Sequence, residues 1–231
     1  MWTARVFTLY PDMFPGPLNK GIYGKALKKK HWSIKTVNIR AYAKDKHATV
    51  DDKPFGGGSG MLMKADVLAR SIDKNVKKKE KIYFLSPKGK KFDQKFAKTL
   101  SKKKVVNFIC GHFEGVDERL LKTRNIEQIS LGDFILSGGE TAVILIIDSV
   151  IRLLPGVLGN SASKVDESFE NGLLEYPQYT KPRIWEKKKV PGVILSGDHA
   201  KIKGWRLTQS EAITRRQRPD LWRKYIKKNK L

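Results

Sequence analysis

Leu131-Gly132-Asp133-Phe134-Ile135-Leu136-Ser137-Gly138-Gly139-Glu140 is the stretch on which the reading of this chain turns. Residues 126–131 before it have the β-branched and apolar composition of a strand, and residues 140–154 after it form a long apolar run that Pro155 and Gly156 stop. Its glycines therefore fall at the carboxyl end of an expected strand, the edge at which open α/β sheets bind ligands. Two further stretches repeat the arrangement. Residues 81–85 lead into Leu85-Ser86-Pro87-Lys88-Gly89, and residues 105–110 into Cys110-Gly111-His112-Phe113-Glu114-Gly115. Each alone is an ordinary strand-to-helix turn. In succession they can build a pocket lined by backbone, because a missing side chain lets peptide N–H and C=O groups approach a ligand.

Outward from these loops, residues 5–10 and 33–39 complete a set of short strands, and residues 21–30, 64–76, 92–102 and 114–122 read as the helices between them. Such alternation predicts an α/β fold with a mostly parallel sheet. Past Leu158 the character changes: residues 159–169 are polar and small-residue rich, as in a linker, and residues 200–218 and 219–228 read as basic helices. The expected organisation is a core domain over 1–158, a linker over 159–169 and a small, mostly helical domain over 170–231. Residues 44–60 read as a long loop, a kind of segment that is often functional.

Lysine and arginine number 47 against 23 aspartates and glutamates, for a net charge of +24, and 40% of residues are hydrophobic. The chain can therefore bury a core, and its charge points to a polyanion whose condensed counterions it would release. Lysine triplets at the expected helix ends also suit the helix dipole and stay solvated, which is the plainer account of part of that charge. With Cys110 as the single cysteine, disulfide frameworks and multi-cysteine zinc sites are excluded, and the four histidines lack metal-ligand spacing. No metal site is expected. Neither a signal peptide nor a membrane span is read, the longest apolar run being residues 142–147, so a cytoplasmic location follows by default.

Gly56-Gly57-Gly58-Ser59-Gly60 follows no buried strand and precedes no Gly-Lys-Ser/Thr, so it reads as a substrate-facing loop carrying Asp51 and Asp52 rather than a nucleotide loop. Glu114, Asp117 and Glu118 cluster in an otherwise basic chain, where helix N-terminal placement would account for them. Asp148 and Arg152 lie four apart, the spacing of a helical ion pair.

Read together, these segments resemble the bacterial tRNA (guanine-37-N1)-methyltransferase family of the SPOUT class. The resemblance runs through Phe7-Thr8-Leu9-Tyr10-Pro11-Asp12-Met13-Phe14, Val50-Asp51-Asp52-Lys53-Pro54-Phe55-Gly56-Gly57-Gly58-Ser59-Gly60-Met61, Gly111-His112-Phe113-Glu114-Gly115-Val116-Asp117-Glu118-Arg119, residues 132–140, Pro155-Gly156-Val157-Leu158-Gly159 and Gly172-Leu173-Leu174-Glu175-Tyr176-Pro177-Gln178-Tyr179-Thr180. It implies a parallel sheet with a deep trefoil knot, formed where the chain after Val105 threads an earlier loop, and a homodimer whose active sites draw on both subunits. It implies S-adenosylmethionine bound at Phe84, Leu85, Pro87, Gly111, Glu114 and Gly115, and at Leu131, Gly132, Asp133, Phe134, Ile135, Leu136, Gly138 and Gly139. Mg2+ is compatible with the chemistry, but no residue pattern specifies it.

The implied substrate is the anticodon stem-loop of tRNA, with Asp51, Ser168 and Glu175 contacting it and Asp51 reading the base at position 36. Arg152 matches the family's arginine. At the base position the family has Asp-Ser-Phe, whereas this chain has Glu167-Ser168-Phe169, with Asp166 as the rival carboxylate. Ser59 for the usual proline and Phe113 for the usual tyrosine are lesser departures. A knotted methyltransferase acting on another RNA, and a non-catalytic RNA-binding protein, are the alternatives.

Overall fold

The structure, a computed structural model, describes residues 1–158 and 167–229. The chain folds as two compact units, Met1–Gly159 and Asn160–Leu231. The expected linker lies mostly outside the described residues, as does Asp166.

In the first unit, β1 (Trp2–Thr8), β2 (Trp32–Asn38), β5 (Ile82–Lys91), β6 (Val105–Ile109) and β7 (Ile126–Ser130) form one sheet in the order β2-β1-β6-β5-β7, parallel throughout. Burial of both faces is confined to β1, β6 and the first half of β5, whereas the edge strand β2 is largely half-buried or exposed. Alternate residues go to opposite sides: Ala4, Val6, Tyr83, Leu85, Val106 and Phe108 join one cluster, whereas Phe7, Ile82, Phe84 and Ile109 join the other. Helices α1 (Gly21–Lys28) and α5 (Gly139–Ile151) contribute to the first cluster. Helix α3 (Gln94–Ser101), started by the Asp93 side chain on the Phe96 N–H at 2.8 Å, packs there too. Helices α2 (Ala65–Asn75) and α4 (Glu118–Thr123) cover the other face. The α/β fold with a central parallel sheet is as the sequence predicts.

Three local expectations are corrected. Strand β5 does not end at Leu85: Ser86–Gly89 form a register break inside it, after which Lys90 and Lys91 pair again with β7. Gly89 is required there, since a Cβ would lie 2.3 Å from the backbone nitrogen of Ile129. Helix α4 begins at Glu118 rather than 114, because the preceding backbone bonds elsewhere: the Glu114 N–H donates to the Met61 carbonyl at 2.9 Å, and Met63 bridges Val116. The stretch read as a plain loop contains β3 (Asp51–Asp52), antiparallel to β4 (Leu62–Met63).

The second unit is mostly helical. A short hairpin of β8 (Ile184–Trp185) and β9 (Lys188–Lys189) precedes α6 (Gly192–Leu195), α7 (His199–Gln217) and α8 (Pro219–Asn229). Helix α7 is capped by the Asp198 carboxylate accepting the Lys201 N–H at 3.0 Å. Among the described residues no helix is long and apolar enough to cross a membrane.

Candidate active site

The chain order around β5 creates a cavity. Helix α4 carries the chain from β6 on one side of β5 to β7 on the other, so the segments leaving β6 and β7 flank the register break in β5. Between them lies a cavity of about 340 Å³, the size of a small-molecule site.

Phe84, Leu85 and Pro87 line it from the first segment, Gly111, Glu114 and Gly115 from the second, and Leu131, Gly132, Phe134, Ile135, Leu136, Gly138 and Gly139 from the third. Asp133, in the same third stretch, is not part of the lining. His112, Ser86, Lys88 and Gln128 also line the cavity, and sequence reading did not single them out as ligand contacts. Backbone dominates where the last two segments meet. The Gly139 N–H donates to the Gly111 carbonyl at 2.9 Å, and a Cβ on Gly139 would stand 2.6 Å from the Cα of Cys110. Only glycine permits that approach.

One charged group is sealed behind this wall. Glu140, in the first turn of α5, is 2% exposed. Its carboxylate meets His112 Nε2 at 2.9 and 2.8 Å and accepts the Thr8 hydroxyl at 2.5 Å. Burial alone would raise its pKa, but the bonds from His112 and Thr8 more than offset that and hold the carboxyl below its usual value. The neighbouring Cys110 thiol is pushed up, by burial first and then by Glu140.

The end of the glycine-rich loop touches one residue of the cavity lining. A Cβ on Gly60 would stand 2.6 Å from the Glu114 side chain, and the Met61 carbonyl accepts the Glu114 N–H at 2.9 Å. Arg152 caps the end of α5 and is exposed. One turn earlier, Asp148 accepts a hydrogen bond from the Tyr23 hydroxyl; burial, then that carboxylate, raise the phenol pKa, with Arg152 opposing.

Glu167, Ser168 and Glu175 belong to the second unit. There the Glu175 N–H donates to Ser168 Oγ at 2.9 Å and the Phe169 N–H to the Leu173 carbonyl at 2.8 Å, which folds this stretch back on itself. Asp51 sits on β3 opposite Met63. Among the described residues no group of three or more His, Cys, Asp and Glu side chains could hold a metal ion.

A parallel sheet with a glycine-walled pocket beside its strands is an α/β architecture with room for a small ligand against backbone. Its comparison with known proteins is specific. The profile of the family described as tRNA (Guanine-1)-methyltransferase TrmD matches residues 1–224. A tRNA (guanine-N(1)-)-methyltransferase of Pelagibacter ubique is 73% identical over 227 residues, covering 98% of this chain and 100% of that protein. Proteins of the same name from Bartonella tribocorum and Brucella canis are each 52% identical over 224 residues, covering 97% of this chain and 96% and 91% of theirs. The chain belongs to the tRNA (guanine-1)-methyltransferase family and is a methyltransferase.

Proposed function

We propose that the chain transfers a methyl group from S-adenosylmethionine to N1 of guanosine 37 in the anticodon loop of tRNA. The observation that carries this reading is the cavity at the register break of β5 and the ends of β6 and β7, walled by backbone, in a chain of this family. Its size and its closely apposed peptide groups at Gly111 and Gly139 fit a nucleoside-bearing ligand. The lining residues named above, with Asp133 beside them, are the proposed donor site. When bound there, the donor supplies an electrophilic methyl carbon.

The remaining chemistry falls to the chain's own side chains. N1 of neutral guanine holds a proton and is a poor nucleophile until that proton leaves, and negative charge then builds on O6. Glu167 takes the N1 proton as general base, and the Arg152 guanidinium, permanently charged and planar, faces O6. An extra methylene relative to aspartate is accommodated at Glu167 by its place beside the linker. Ser168 and Glu175, already bonded together, contact the nucleotide, and Asp51 reads the base at position 36.

The same proposal includes the tRNA as partner, held by the basic second unit through phosphate contacts that give affinity without sequence choice. Residues 170–231 form the tRNA-binding domain and residues 159–169 its linker to the knotted domain at 1–158. A homodimer is supported by apolar residues left open on the first unit, among them Leu145 at 49% and Ile135 at 81% exposure. The cytoplasm is the proposed location.

The test is methyl transfer to tRNA transcripts that differ only at positions 36 and 37. Equal methylation of a transcript without guanosine at 37 sinks the substrate assignment. Arg152→Ala is expected to lower turnover roughly 100- to 1,000-fold, and Glu167→Gln at least about 100-fold. Retained turnover in Glu167→Gln would pass the role to Asp166.

A further inference from the structure

Among the described residues Glu140 is the one fully buried carboxylate, and the reaction above does not use it. An ionised carboxylate only accepts hydrogen bonds. The His112 nitrogen that faces both its oxygens must therefore be Nε2–H, a donor. That leaves Nδ1 as the other polar atom of the ring. The His112 ring makes no further hydrogen bond among the described residues, its backbone carbonyl accepting the Gly115 N–H at 3.1 Å, and the residue lines the cavity. Its ring is closely confined. Tyr10 packs edge-on at 5.2 Å between centroids, and the backbone at Gly138 comes so near that a Cβ would fall 2.4 Å from Cε1 and 2.8 Å from Glu140 Oε2. The Thr8 hydroxyl and the first turn of α5 hold the carboxylate in turn.

We propose that Glu140 is a positioning residue that fixes His112 as the Nε2–H tautomer, so that His112 Nδ1 accepts a hydrogen bond from an O–H or N–H group of the methyl donor. This rests on the assignment of the cavity to that donor. Glu140 acts only through His112, and the pair ties the segment after β6 to the start of α5 across 28 positions of sequence.

Nitrogen-15 NMR of the imidazoles in the full chain, with His112→Gln used to assign the His112 signals, reads the tautomer without any ligand. Nε2 protonated and Nδ1 bare is the expected result, with the Nδ1 signal moving when S-adenosylmethionine is added. His112→Gln puts an amide N–H where Nε2 stands and retains the bond to Glu140, but offers no acceptor in place of Nδ1. Its KM for the donor should rise roughly tenfold, the loss of about one hydrogen bond, with little change in kcat. Glu140→Gln presents an N–H to His112, so the ring should invert to Nδ1–H and the donor KM should rise likewise. An Nδ1–H tautomer in the unaltered protein, or an unchanged donor KM in His112→Gln, overturns the proposal. Should the unaltered protein bind no S-adenosylmethionine while showing the expected tautomer, the cavity assignment fails instead. The tautomer reading on the unaltered protein decides the matter even if Glu140→Gln does not fold.

Discussion

The first unit sets apolar clusters on both faces of its sheet, whereas in the second Leu173 is the only buried hydrophobic residue among those described. Deep in the second unit lie hydroxyls: Thr214 Oγ1 accepts the Leu174 N–H at 2.8 Å and donates to the Ser210 carbonyl at 2.6 Å. Helix α5 is apolar nearly all round, while α7 carries charges on every side and has no single apolar face. Aromatic groups that would be core elsewhere stay outside in the second unit, with Trp185 at 62% exposure and the Arg206 guanidinium 4.7 Å over the Tyr176 ring. The comparison teaches that one unit is held by excluded water. The other relies more on hydrogen bonds, such as that between Leu174 and Thr214, and leaves large side chains exposed.

That contrast can be broken by substitution. Ile146 is completely buried on α5, so Ile146→Ala should cost about 2–5 kcal/mol in urea unfolding; a loss near zero would deny the first unit its apolar core. In the second unit the sensitive atom is polar. Thr214→Val leaves the Leu174 N–H without its acceptor and should cost about 1–3 kcal/mol, read as lost hydrogen-exchange protection in α7.

Acid should act on the first unit. Glu80, bound by Arg5 at 2.8 Å and by Asn107 at 3.3 Å, and Glu140 both have folded pKa values below the ordinary one, burial being outweighed by their hydrogen bonds. Groups depressed on folding add stability that is present above the unfolded pKa of about 4.3 and is lost as pH falls through the folded value. Urea midpoints of the first unit should therefore be flat from pH 7 to about 5 and decline below about 4, and removing Glu80 should reduce that decline. The smallest effect is expected at Leu207, half exposed on α7, where alanine should change stability by less than about 0.5 kcal/mol.

Much of this architecture is legible in the residues. Strands β1, β2, β6 and β7 are close to their expected positions, because their β-branched and aromatic residues mark them even where polar ones intervene. The failures share a cause. Glu114, Asp117 and Glu118 look like the first turn of a helix, yet Glu114 is drawn away by the carbonyl of Met61, more than fifty positions earlier. Ser86-Pro87-Lys88-Gly89 has turn chemistry, yet β7 recaptures the strand at Lys90. The cavity segments are visible because glycines mark where backbone must come close. The pairing of His112 with Glu140 is not, since no spacing rule joins a histidine after one strand to a glutamate on a later helix.

Composition and periodicity, which are local properties, settle the α/β class, the elements and the basic character of this chain. The strand order, the continuation of β5, the meeting of three segments in one cavity and the tautomer imposed on His112 depend on hydrogen bonds and packing between distant positions. Those exist only once the sheet has assembled and excluded water from its edge.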